Sequence, residues 1–362
     1  MTTAAREPRN TPLLNLPEDP MPKVSICIPA YKQVAFLRQT LKSVSEQRFT
    51  DYELIITDDS PDDSVETLLA EFDFGGRMRY VRNAQQLGSP ENWNAALRLA
   101  SGDYLKILHH DDNFTDADAL GDFVRLLDDN PEAGFAFCAT LIVNVANGTE
   151  RVHRATESQM STLRAMPEIL FAGNFVGAPS TTIYRREFAL DYDVRMKWLV
   201  DLDFYIRILR SDIGFAFSAR PLICTPTNAA HQVTEVCRDS GQIELYEYSI
   251  LFDKIADAVA QRPEIKEQWY RLFEKYGIRS RRSFLKYDVA QPEPAEYFTK
   301  LIKNYRRRRY LTLHGLARVF FAIYPKMPAP IRAPIRWAKN SLLFVLGRQR
   351  KVARVTELDG DK

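Results

Sequence analysis

A chain of 362 residues is long enough to bury a sizeable core, and its 45% apolar and 27% charged residues are ordinary proportions for a globular protein. The formal net charge of +2 hides an asymmetry: fourteen Lys or Arg and no Asp or Glu fall between Lys300 and Lys351, which leaves −11 on the first 299 residues. Four scattered cysteines without a CxxC pair argue against a disulfide framework or a cysteine zinc site and fit a reducing compartment, and no apolar run reaches the roughly 18 residues of a membrane-spanning helix.

Residues 1–21 lack the basic and apolar regions of a signal peptide and read as a disordered leader. Lys23 to Pro29 is a short apolar run rich in β-branched residues, a buried strand. Ala35 to Gln47 follows with Leu37, Leu41 and Val44 at helical spacing. Tyr52 to Thr57 is a second strand closed by Asp58-Asp59-Ser60-Pro61, and Asp63 to Phe72 a second helix. After a short strand at Arg79 to Arg82, Ser89-Pro90 supplies an N-cap and a first-turn proline for a helix whose inner face is Trp93, Leu97 and Ala100. Asp103 to Leu108 is a strand ending in His109-His110-Asp111-Asp112-Asn113, and Ala117 to Asp128 is helical. Strand patterns recur at Gly134 to Val143, Ser180 to Tyr184 and Gly214 to Cys224. Beyond about residue 240 the pattern is helical, at Ile243 to Ala260, Ile265 to Tyr276 and Ala295 to Tyr305. The alternation predicts an α/β fold with a mostly parallel sheet flanked by helices, and ligands outside the carboxyl ends of its strands.

Chemistry concentrates at those ends. Asp58-Asp59 closes one strand and Asp111-Asp112 another, and so much negative charge at one rim is unfavourable unless a cation or hydrogen-bond donor is expected there. Hard carboxylate ligands suit Mg²⁺ or Mn²⁺, and such an ion suits a diphosphate. Tyr31 is placed to stack on a base and Asp59 to accept from a pyrimidine imide. His109 and His110 are assigned structural roles, because adjacent strand residues point to opposite faces. Lys106 and Arg98 are expected to be solvated or paired.

The strings VSICIPAYKQ, YELIITDDSPDD, LGSPENWNAALRLASGDYLKILHHDDNF and NFVGAPSTTIYRRE, in this order, resemble family 2 glycosyltransferases of the GT-A fold over about Val24 to Thr234. The resemblance implies an inverting transferase that uses a nucleotide sugar, with Pro29, Ala30 and Tyr31 lining the base pocket. Asp58, Asp59 and Asn92 join that donor site, Asp111 faces the sugar or ribose, and Asp112 ligates the metal in the DxD-type position. His231 completes the metal or diphosphate site. The stretch Trp198 to Arg207 resembles the segment supplying the catalytic base, with Asp201 the first choice and Asp203 the second; Val200 stands where the family commonly has Glu.

The expected organisation is a catalytic domain over residues 22–240, split into a nucleotide-binding half (22–115) and an acceptor half (116–240). A helical region over 241–362 carries a basic amphipathic tail at about 300–351. Basic residues interleaved with Phe320, Tyr324, Trp337 and Phe344 suit an anionic membrane surface better than nucleic acid, for which no motif is visible. The same face offers a helical dimer interface, hence a homo-oligomer, as an alternative. The reading is thus a cytoplasmic, peripheral membrane enzyme using a UDP or dTDP sugar and a lipid-linked or polysaccharide hydroxyl acceptor. A non-catalytic sugar-nucleotide-binding homologue and a sugar nucleotidyltransferase are the rivals; PAYKQVAF is not the Gly-rich basic loop the latter needs.

Overall fold

A computed structural model describes residues 21–227, 237, 239–287, 289, 295–324 and 327. The leader, His231 and most of the basic tail lie outside the described residues. The chain divides into two compact units, Met1–Ile255 and Ala256–Lys362, with the boundary inside a helix.

The first unit begins with four strands, β1 (Val24–Ala30), β2 (Tyr52–Asp58), β3 (Met78–Arg82) and β4 (Tyr104–Ile107). β1 pairs in parallel with both β2 and β4, and β3 joins β2 in parallel. All seven residues of β1 are buried, as a strand covered on both faces requires, which explains its unbroken apolar run. Helices α1 (Val34–Ser45), α2 (Ser64–Leu69) and α3 (Glu91–Arg98) make the crossovers. α1 buries Leu37, Thr40, Leu41 and Val44, a single stripe of helical period.

α3 departs from expectation. The Ser89–Pro90 peptide is cis, Pro90 occupies the N-cap position and no side chain caps the helix. Its buried residues are Asn92, Asn94 and Ala96 rather than Trp93, Leu97 and Ala100. The buried amides are satisfied by backbone: Asn94 exchanges two bonds with Tyr192, donating from Nδ2 to its carbonyl and accepting from its N–H.

Next come β5 (Asn113–Phe114), α4 (Ala119–Asp128), β6 (Ala133–Asn144), β7 (Glu150–His153) and α5 (Glu157–Ala165), the last begun by a Thr156–Gln159 capping box. They are followed by β8 (Thr182–Arg185), α6 (Val200–Leu209), β9 (Gly214–Thr227) and α7 (Gly241–Val259). The strand order is β3-β2-β1-β4-β8-β6-β9-β5, with β7 on β6. The parallel half expected from the sequence is β3-β2-β1-β4; β8 then enters antiparallel, β6 and β9 pair in parallel, and β5 is antiparallel to β9.

This order forces the sheet to curl. β4 and β5 are joined by residues 108–112 alone but sit four places apart in the sheet. On a flat sheet they would lie about 19 Å apart, the full reach of such a linker. The linker is not extended, because Asp112 N–H donates to the His109 carbonyl at 3.0 Å. The far strands therefore fold back over the carboxyl end of β4. β9 supplies the bend, its register to β6 shifting around Cys138 and Ala139.

In the second unit α8 (Pro263–Lys275) and α9 (Ala295–Ile323) pack through Trp269, whose ring meets Phe298 edge-on at 4.8 Å. α9 continues through the four-arginine run rather than ending near Tyr305. Arg308 pairs with Glu267, and Arg309 reaches Glu274 at 3.1 Å. Among the described residues no helix is long and apolar enough to cross a membrane.

Candidate functional site

The carboxyl ends of β1, β2 and β4 form a single rim. Pro29 and Ala30 are buried there, while Tyr31 is 37% exposed at the edge with Lys32 Nζ 5.1 Å from its ring centre. Lys32 N–H donates to Ser60 Oγ at 2.7 Å and Asp59 N–H to the Ala30 carbonyl at 3.0 Å, so the two strand ends are stitched together.

Asp58 and Asn92, both expected to contact the donor, are bonded into this rim. Asp58 is fully buried and accepts from Ser60 N–H at 2.8 Å and from the Tyr80 hydroxyl at 3.0 Å. Asn92 donates to the Ala30 and Thr57 carbonyls and accepts from Asn83 Nδ2 at 2.9 Å. A buried polar group must find its partners inside the protein, and these two have done so. Asp59 is also engaged: it accepts from Asn83 Nδ2 at 2.7 Å, Leu87 N–H at 3.1 Å and Gly88 N–H at 2.8 Å, and so holds the loop after β3 against the rim.

The acidic turn lies beside it. His109, Asp111 and Asp112 bring one ligand atom each to within 4.8 Å of one another. Asp112 is 2% exposed, its Oδ1 has no hydrogen-bond partner, and His109 Nδ1 stands 3.9 Å from its Oδ2. Burial first, and then the Asp111 charge, push the Asp112 carboxyl up to about 7. Burial lowers His109 to about 4 and so keeps its ring neutral, the form that ligates metals; its Nε2 is likewise without a partner. A buried carboxylate oxygen and an imidazole nitrogen lacking partners, on residues that bring ligand atoms within 4.8 Å of one another, fit a divalent cation. His109, assigned a structural role from strand alternation, thus joins the carboxylates, because the tight turn after β4 suspends that alternation.

The segment expected to supply the base is the first turn of α6. Asp201 accepts from Leu202 N–H at 2.8 Å on Oδ1 and from Asn174 Nδ2 at 2.7 Å on Oδ2, and burial raises its carboxyl to about 7. Asp203 points elsewhere. It is fully buried, with Arg207 Nε 2.8 Å from one oxygen and Lys254 Nζ 2.5 Å from the other. Two residues apart on a helix means nearly opposite faces, and both Asp203 oxygens are bound by cations, on the side of the helix away from Asp201.

Several side chains around the site were given no role in the site by the sequence. Trp93 packs on His109 with ring centres 4.7 Å apart and meets Tyr192 edge-on at 5.1 Å. Lys106 is not solvated at all: its ammonium donates to the Ser180 carbonyl at 2.5 Å and sits 3.9 Å over the Phe123 ring. Ser180 Oγ in turn accepts from His109 N–H at 2.9 Å. Arg98 is paired, to Glu91 and Asp191. A lysine inside an apolar strand was the available signal for Lys106; Asn174 and Ser180 lie in the string NFVGAPSTTIYRRE, which carried the resemblance without assigning either a role.

Residues 25–192 match the family described as Glycosyl transferase family 2. An uncharacterised protein of Mycobacterium tuberculosis is 28% identical over 208 residues, 54% of this chain and 64% of that protein. The GalNAc(5)-diNAcBac-PP-undecaprenol beta-1,3-glucosyltransferase of Campylobacter jejuni is 31% identical over 94 residues, 25% of this chain and 30% of its own. The chain thus spans less than two thirds of the length of these relatives. Among solved structures, S. aureus TarS 1-349 in complex with UDP-GlcNAc superposes with a TM-score of 0.54 at 16% identity, covering 79% of this chain and 81% of that one.

Proposed function

From the match of residues 25–192 to glycosyl transferase family 2, we propose that the chain moves a sugar from a nucleoside diphosphate donor to a hydroxyl acceptor, with inversion and with Asp201 as general base. The observation that carries this reading is the pairing of a positioned carboxylate with an ion-ready acidic turn, tied together through one loop. Asn174 on that loop holds Asp201, and Ser180 on the same loop holds His109.

His109, Asp111 and Asp112 are the described residues that would hold Mg²⁺ or Mn²⁺, with His231 a further candidate outside the described residues. When bound, such an ion supplies positive charge against the leaving diphosphate. The chain's own groups do the rest. Tyr31, with Pro29 and Ala30 behind it, offers a face for the base, and Asp59 with its loop offers the edge that discriminates it. Asp201 takes the acceptor hydroxyl proton as the oxygen attacks the anomeric carbon. With a carboxyl near 7, its ionised fraction rises through neutral pH.

UDP or dTDP is favoured by Tyr31 and Asp59, and a UDP-GlcNAc complex of the TarS fold neighbour is in keeping with that choice. A lipid-linked or polysaccharide acceptor is supported by the basic C-terminal region and by the PP-undecaprenol acceptor in the name of the C. jejuni relative. On this reading residues 22–240 form the catalytic domain, 22–115 for the nucleotide and 116–240 for the acceptor. The region 241–362 serves the membrane surface, peripherally and from the cytoplasmic side.

The test is thermal-shift binding of UDP, dTDP, CDP and GDP, each with Mn²⁺, with Mg²⁺ and with chelator. A metal-dependent shift for one nucleotide is expected. No shift for any of them would favour the non-catalytic reading.

A further inference from the structure

The second half of the segment between α5 and β8 is bound at two points to groups of the site. At the first of them Asn174 does two jobs. Its Oδ1 accepts from Val176 N–H at 3.1 Å and Gly177 N–H at 2.9 Å, closing a side-chain turn. Its Nδ2 donates to the Gly177 carbonyl at 3.0 Å and to Asp201 Oδ2 at 2.7 Å. The Tyr205 hydroxyl, one helical turn beyond Asp201, donates to the same Gly177 carbonyl at 3.1 Å.

The middle of the loop has little room. Gly177 holds φ +109°, and a Cβ there would stand 2.9 Å from Thr181 Oγ1. Thr181 Oγ1 donates to the carbonyls of Val176 and Ala178, at 3.1 and 2.8 Å. At the far end the ammonium of Lys106 clamps the Ser180 carbonyl, and Ser180 Oγ accepts from His109 N–H. Between Asn174 and Ser180 the backbone is thus held at Val176, Gly177, Ala178 and Ser180.

We propose that Asn174 is a positioning residue for the base: its amide orients Asp201 and favours the ionised carboxylate, while the loop it opens sets Asp201 in register with the acidic turn. The inference rests on reading Asp201 as the base. A donor N–H on one oxygen leaves that carboxylate's remaining lone pairs to face an acceptor hydroxyl, and a donor stabilises an anion more than a neutral acid. Burial is the main influence against the ionised form, and the Glu247 charge on α7 adds to it. The Leu202 and Asp201 backbone N–H groups and the Asn174 amide act the other way. The phenols of Tyr192 and Tyr205 lie near and are themselves held neutral, in part by the Asp201 charge.

The experiment uses the full chain in chelator, with melting temperatures from pH 5.5 to 8.5, so no donor or acceptor is needed. Asn174→Asp keeps an oxygen to accept from Val176 and Gly177 but replaces the donated N–H with a second carboxylate oxygen facing Asp201. Asn174→Ala removes both functions. The expected result is that Asn174→Asp loses several degrees more at pH 8.5 than at pH 5.5, and that this extra loss disappears in the Asp201→Asn background. Equal losses at both pH values, or an extra loss that persists without Asp201, would overturn the proposal and leave Asn174 a turn former.

Where transfer is measured, Asn174→Ala should lower kcat at least tenfold with little change in donor KM. It should also move the acid limb of the pH profile upward. Full transfer by Asp201→Asn would instead remove the base assignment itself. Loss of transfer in Asp201→Asn, combined with an unshifted pH profile in Asn174→Ala, would remove the Asn174 inference alone.

Discussion

Replacing Asp112 with Asn should have opposite effects on stability with and without metal. In the metal-free protein Asp112 is 2% exposed, carries an oxygen without a partner, and has a carboxyl raised from an ordinary value near 3.8 to about 7. A carboxyl raised in the folded state binds its proton more tightly there than in the unfolded chain. Stability from this group is therefore greatest below pH 4, declines as pH rises through the interval, and is fully lost above 7. At pH 8 the ionised side chain costs the fold on the order of 4 kcal/mol, which a neutral amide does not incur. The amide is nearly isosteric with the carboxylate it replaces, so the variant should melt several degrees above the parent in chelator at pH 8, with the gap closing by pH 5. Millimolar Mn²⁺ should reverse the order, because the ion stabilises only the protein that retains its anionic ligand. Differential scanning fluorimetry over pH, with Mn²⁺ and with chelator, reads both effects. A variant that melts below the parent in chelator at pH 8, and gains as much from Mn²⁺, would refute the assignment of Asp112 as a metal-poised anion.

Three further outcomes are expected. Asp201→Asn should lower transfer by roughly 10²–10⁴-fold with donor affinity unchanged by titration; a rate within tenfold of the parent would point away from Asp201. Lys106→Met should raise the melting point most at low pH. Burial depresses the Lys106 pKa to about 7, so its buried charge is costly below that value and progressively less so as pH rises towards 10.5, where the unfolded lysine also deprotonates. A pH-independent difference would show that the ammonium is better solvated than its surroundings suggest. A chain ending at Tyr324, which retains α9, should float less well than the full chain with phosphatidylserine vesicles, and equal flotation would discard the membrane role of the tail.

The parallel half of the sheet was legible because strands buried on both faces leave unbroken apolar runs, as VSICIPA and YELIITD do. The rim was legible because two carboxylate pairs at strand ends need compensation. Which carboxylate does what was not. Asp58 and Asp59 are adjacent in sequence, yet one bonds Tyr80 and the other the loop at Asn83 to Gly88. The inner face of α3 was misread for the same reason: Asn94 is buried against backbone 98 residues away, and periodicity carries no information on such partners. Asp201 and Asp203 could be recognised as lying on different faces of one helix, but Lys254, which claims Asp203, is 51 residues distant. The antiparallel entry of β8, and the curl that follows, likewise depend on pairings that local pattern does not encode.

The hydrogen bonds that hold Asp59 constrain the base-reading role proposed for it. Its three protein donors, Asn83 Nδ2 and the Leu87 and Gly88 N–H groups, already occupy most of what a carboxylate accepts. About one acceptor position is left, on Oδ2 beside the Gly88 N–H. If Asp59 reads the base as proposed, an imide has to arrive along the single direction that the loop after β3 leaves open. Substitutions in Asn83 to Gly88 would then change nucleotide preference without touching a ligand, by moving that opening.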